Sequence, residues 1–115
     1  MADSTFLYVF RGGADPNRSP DEMQRNMQKW ATWMEVFAKE GRLRGGDPLE
    51  FGGKVVAGKG KTVTDGPYAE AKDVVGGYLL ITARDLGHAT ELARGCPIFE
   101  DGGSVEVRGT RPMTP

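Results

Sequence analysis

Apolar and polar positions change period several times along this chain, and each change marks an element. Thr5-Phe6-Leu7-Tyr8-Val9-Phe10 is a β-branched and aromatic run that stops at Arg11-Gly12-Gly13, which predicts a first strand. Ser19-Pro20-Asp21-Glu22 then supplies a helix start: a capping hydroxyl, a proline suited to the first helical position, and an acid where a capping box places one. Met23, Met27, Trp30, Met34, Phe37 and Ala38 follow at steps of three and four, an amphipathic stripe with Trp30 at its centre and Trp33 at its flank. Gly41 is a left-handed stop.

Residues 42–53 read as a connection that turns at Asp47-Pro48. Lys54-Val55-Val56-Ala57 and Lys61-Thr62-Val63-Thr64 flank Gly58-Lys59-Gly60, the pattern of a hairpin with a three-residue loop. Asp65-Gly66-Pro67 makes a turn into a strand from Val74 to Ala83, in which Gly76-Gly77 signals a bulge or a close backbone approach. Asp85 caps a second helix with Leu86, Ala89, Leu92, Ala93 and Cys96 on one side, ended by Gly95 and Pro97. Ser104-Val105-Glu106-Val107-Arg108 alternates and reads as an outer strand.

Strand, helix, hairpin, strand, helix, strand is close to the split β-α-β, ferredoxin-like order, an α+β fold of βαββαβ type with the whole of residues 1–115 as one domain. Two helices cover one face of such a sheet. Yet Phe6, Tyr8 and Phe10 alternate with Leu7 and Val9, and Tyr78 and Leu80 with Leu79 and Ile81, so both faces are apolar where a one-sided sheet would alternate with polar residues. The simplest cover for the second face is a second copy, which predicts a homodimer through the sheet face.

Composition narrows the function classes. The net charge is −1 with the signs interspersed, so no nucleic-acid or acidic-membrane partner is expected. The single cysteine, Cys96, forms no internal disulfide, and no leader or membrane-length apolar run is visible, so the expectation is a soluble cytoplasmic protein. Glycine supplies 17 of 115 residues, spaced as punctuation between short elements. With a lone His88 and no phosphate loop or serine-triad signature, no metal and no cofactor are expected.

The chemistry-bearing candidates gather around Asp65. A carboxylate at the mouth of a pocket, its pKa raised by burial, can move a proton; the same aspartate is also good turn chemistry, bonding a backbone N–H two residues on. Tyr68 and Glu70 are candidate ligand contacts from the same segment. Their alternatives are a ring packed over the turn and, for Glu70 with Lys72, a solvated ion pair. Trp30 and Trp33 either pack in the core or wall an apolar pocket between helix and sheet. His88 reads as a solvent-facing helix residue and Cys96 as a small buried hydrophobe. Arg42, Arg44, Lys54, Lys59 and Lys61 form an anion patch or solvate their loops.

Lys39-Glu40-Gly41-Arg42-Leu43, Thr64 to Lys72 with its Asp65-Gly66-Pro67-Tyr68, Gly76-Gly77-Tyr78, Ala93-Arg94-Gly95-Cys96-Pro97 and Gly102 to Arg108 occur together in order. The chain thereby resembles the DGPF branch of the YCII-related proteins over nearly its whole length. The resemblance implies a dimeric α+β barrel in which two ferredoxin-like sheets close face to face. It also implies a cleft in which relatives carry a histidine–aspartate pair suggested to be enzymatic. Here Trp30 stands about where those relatives carry the histidine, and Asp65 is the surviving half. The expectation is a small organic ligand bound near Asp65 and the first helix, with acid–base chemistry possible. The alternative, implied by relatives associated with sigma-factor-type regulators, is a non-catalytic accessory module.

Overall fold

The computed structural model of the chain describes residues 3–13, 15, 17–66 and 73–114. In chain order the elements are β1 (Ser4–Arg11), α1 (Pro20–Lys39), β2 (Leu43–Pro48), β3 (Gly53–Ala57), β4 (Thr62–Gly66), β5 (Val75–Ala83), α2 (Leu86–Ala93), a 3₁₀ turn (Pro97–Asp101) and β6 (Ser104–Gly109). Strands β2-β5-β1-β6 form one sheet with every neighbour antiparallel, while β3 and β4 form a two-stranded sheet of their own. With helices after β1 and β5, that four-strand order is the ferredoxin-like arrangement, and the hairpin β3–β4 is an insertion into it.

Three sequence expectations change here. Residues 43–48, read as part of a connection, are the edge strand β2, and the hairpin that stood for the second strand lies outside the main sheet. Leu-Arg-Gly-Gly-Asp-Pro has almost no strand-forming residue, so pairing with β5 makes it a strand. The hairpin loop also has four residues rather than three, because Ala57 pairs with Thr62. Gly58 and Lys61 both adopt positive φ, 74° and 54°, to close it.

The rest follows the local signals. The Ser19 hydroxyl accepts from the Glu22 N–H at 3.2 Å to start α1. Gly41, at φ 70°, ends it, with the Arg42 N–H donating to the Phe37 carbonyl at 2.8 Å. Phe10 faces Gly77 and Arg11 faces Val75, so Gly76 is the extra residue of a bulge.

One face of the sheet carries the core. Phe6, Tyr8 and Phe10 of β1 and Leu79 and Ile81 of β5 pack against Trp33 and Phe37 of α1 and Ala89 and Ala93 of α2. The Tyr8 hydroxyl donates to the Ala89 carbonyl at 2.6 Å, tying the central strand to α2. On the opposite face Leu7, Val9, Tyr78 and Leu80 are only half-buried, and among the described residues no helix covers them. Toward β6 that face is rimmed by the Arg11–Glu106 ion pair and Arg108. Among the described residues no helix is long and apolar enough to cross a membrane.

Candidate functional site

The middle of α1, from Met27 to Met34, overhangs the sheet edge formed by β2 and β5, and a cleft of about 420 Å³ opens between them. Its walls are Trp30, Met27 and Met34 of α1 with Phe10 and Leu79 of the sheet, and its floor is the backbone around Gly46, Gly77 and Tyr78. The floor is made of glycine because the strands approach closely there. A methyl on Gly46, where φ is 138°, would lie 2.3 Å from the Tyr78 carbonyl oxygen, and one on Gly77 would lie 3.1 Å from the Asp47 carbonyl oxygen. Removing two side chains lets an apolar ligand rest on the strand edges themselves.

Trp30 is the hinge of this region. Its indole stands edge-on to Phe10, 4.9 Å between ring centres, and it also borders a second cavity of about 590 Å³ with Phe10 and Gly76. The far wall of that second cavity is polar: Arg18 is ion-paired with Asp101, and the Asn26 amide donates to Asp101 at 3.3 Å. The hydrogen bond to Asp101 raises the Arg18 pKa above its ordinary value, so the guanidinium stays charged and its position is set by the pair. Trp30 and Phe10 are thus shared by an aromatic and thioether cleft on one side and a cavity with a fixed hydrogen-bonding end on the other.

The two tryptophans, both read from sequence as core residues or walls of an apolar pocket, take one of these places each. Trp33 is the core residue, 7% exposed, with Nε1–H donating to the Leu92 carbonyl at 3.1 Å and its ring stacked on Tyr8 at 6.0 Å. Trp30 is half-buried at the cleft. Met23 and Met27, expected in the core stripe, are 54% and 68% exposed, and Met27 serves the cleft wall.

Asp65 lies on β4 rather than in a turn, beside the Lys54 ammonium to which it is ion-paired, and its side chain is 87% exposed. It lines neither of the cavities beside Trp30. Tyr68 and Glu70, with the remainder of the Pro67–Lys72 segment, lie outside the described residues. His88 Nδ1 accepts from the Arg84 N–H at 3.1 Å, part of the α2 cap made by Asp85. Burial pushes the Cys96 thiol up to about 11, as suits a small hydrophobe and not a nucleophile. Of the suggested anion patch, Arg42 is engaged by Asp3 at 2.7 Å and Glu40 at 3.2 Å, and Lys54 by Asp65. Among the described residues no cluster of His, Cys, Asp or Glu side chains could hold a metal ion.

Phe10, Met34, Gly46 and Leu79 were not among the sequence candidates. The paired glycines at 45–46 and 76–77 were the available signal, since two such pairs brought face to face make a floor without side chains.

A ferredoxin-like sheet with an apolar cleft under its first helix defines a small α+β protein. The YCII-related domain model matches residues 6–114, and the chain belongs to that family. No curated protein matches it. Among solved structures it is similar to 5-chloro-2-hydroxyhydroquinone dehydrochlorinase from Burkholderia phenoliruptrix AC1100, in complex with 2,5-dihydroxybenzoquinone. The identity is 14% over 93% of each chain, and the TM-score is 0.48. A likeness of that degree assigns neither substrate nor reaction to this chain.

Proposed function

We propose that the chain binds a small, largely apolar organic molecule against Trp30, and that it does so as a homodimer joined through the uncovered sheet face. The observation that carries the ligand reading is the Trp30 cleft itself, with aromatic and methionine walls and a glycine floor, beside a second cavity whose polar end is held by Arg18 and Asp101. The observation behind the dimer is the half-buried row Leu7, Val9, Tyr78 and Leu80, on a sheet whose other face already has both helices. Asp65 is the acid–base candidate only if the hairpin that carries it reaches a cleft other than that of its own chain.

The test is a thermal-shift and fluorescence screen with small neutral aromatic compounds, followed by Trp30→Ala. Binders are expected to raise the melting temperature and quench tryptophan emission in the parent chain. Trp30→Ala is expected to weaken them by about tenfold or more, the scale of one lost aromatic contact. A panel without binders, or binding that survives Trp30→Ala unchanged, overturns the reading.

A further inference from the structure

Among the described residues the hairpin β3–β4 has no further sheet partner within its own chain. A lone two-stranded hairpin is marginal in water, so an ordered one needs a surface to lie on. Its cross-strand pairs show which face would be covered. Lys54 stands opposite Asp65 and Val56 opposite Val63, and because residues two apart share a face, all four side chains point the same way. Val56 is 64% and Val63 59% exposed, an apolar pair in open solvent beside an ion pair that is already neutral within the arm.

The shape of the molecule agrees. Its radius of gyration is 16.0 Å, against about 13.4 Å for a compact domain of this length. The chain measures 48 × 45 × 18 Å, a slab rather than a ball. The area a dimer needs makes the connection. Four strands of about six residues present a footprint of roughly 400 Å² per copy. Two such faces together bury about 800 Å², below the roughly 1,200 Å² at which stable interfaces begin. One face of each arm, counted on the arm and on what it meets, adds roughly 600 Å² across the pair and brings the total within the stable range.

We propose that the β3–β4 arm of each copy docks on a second copy of this chain through its Lys54, Val56, Val63 and Asp65 face. This rests on the sheet-face dimer proposed above and names the element that completes it. The Lys54–Asp65 pair allows the face to be covered without an uncompensated charge, and Asp65 becomes a residue that one copy presents to the other. Breaking the pair on one side alone would strand a buried ammonium.

Sedimentation equilibrium over nanomolar to micromolar protein tests this, using the full chain, the double variant Val56→Glu/Val63→Glu, Asp65→Asn, and Lys54→Met/Asp65→Leu. Far-UV circular dichroism at each concentration checks that the variants are folded, as expected for side chains this exposed. The expected result is a parent dimer, a dissociation constant raised on the order of 100-fold by the valine double variant, a smaller rise for Asp65→Asn, and recovery in Lys54→Met/Asp65→Leu. A parent dimer with an unchanged constant in the valine variant overturns the arm docking and leaves the sheet-face dimer standing. A parent chain that stays monomeric at micromolar concentration overturns both. Should the valine variant fail to fold, replacing residues 54–65 by a Gly-Ser linker poses the same question, and an unchanged dimer there also overturns the docking.

Discussion

At Cys96 the backbone has just left α2, and the thiol is packed into the core at 4% exposure. Its ordinary pKa of 9.0 is raised to about 11 by loss of solvent around the thiolate. Between those two values the unfolded chain releases a proton that the folded chain keeps, so the unfolded state binds fewer protons and stability falls as pH rises. Stability from this group is intact below pH 9 and declines toward pH 11. Burial moves Tyr8 upward from 10.0 in the same sense, which deepens the fall at the alkaline end. Urea unfolding at pH 8, 9 and 10 should show a steeper decline in the parent chain than in Cys96→Ala, with a difference of order 1 kcal/mol by pH 10. Parallel pH profiles would show that the thiol is not desolvated. The burial of Cys96 was legible from its place after an apolar helix side. The order of Trp30 and Trp33 was not. Both lie within one helical stripe, and the choice falls to Trp33 because α2 supplies the Leu92 carbonyl for its indole N–H.

Among the elements, those with strong local periodicity were legible: β1, α1, α2, β5 and β6 all lie where the apolar spacing and the caps place them. Strand β2 was not, because Leu43–Pro48 becomes a strand only through its neighbour β5. The same dependence makes β2 brittle. Gly46→Ala would press a methyl against the Tyr78 carbonyl and the Leu79 Cα, at 2.3 and 2.8 Å, from a backbone angle that an L-residue seldom adopts. The expected loss is about 2–4 kcal/mol by chemical denaturation, beside a change of less than about 0.5 kcal/mol for Gly52→Ala, whose surroundings are open. Any ligand found for the cleft should also bind Gly46→Ala more weakly, because the floor is displaced. Equal stability of the two variants would mean that β2 is not pinned at this point. Half of the cleft was thus hidden in sequence: Trp30 carried its own signal, whereas Gly46 gained meaning only once β2 and β5 were paired.

For the molecule as a whole, the two-sided apolarity of β1 and β5 was the legible feature, and the structure places both helices on one side of that sheet. Leu80 lies opposite Leu7 near the middle of the exposed side. Leu80→Lys is expected to dissociate the proposed dimer at micromolar concentration while the far-UV spectrum is kept, since the side chain does not belong to the core. Light scattering after gel filtration reads the result, and a variant still dimeric at that concentration would remove the sheet face from the interface. What sequence could not convey was that the hairpin stands apart, because nothing local distinguishes an inserted hairpin from one that joins the sheet.

The slab shape has a hydrodynamic consequence. A body 18 Å thick and 45 to 48 Å across drags more solvent than a sphere of equal mass. Stacking a second slab on its broad face roughly doubles the short dimension and brings it toward the other two. Association should therefore do more than double the mass: the frictional ratio should drop toward that of a compact globule. Sedimentation velocity across a dilution series would then show the sedimentation coefficient falling by more than mass alone dictates as the pair separates. A pair joined edge to edge would lengthen instead, and its frictional ratio would climb.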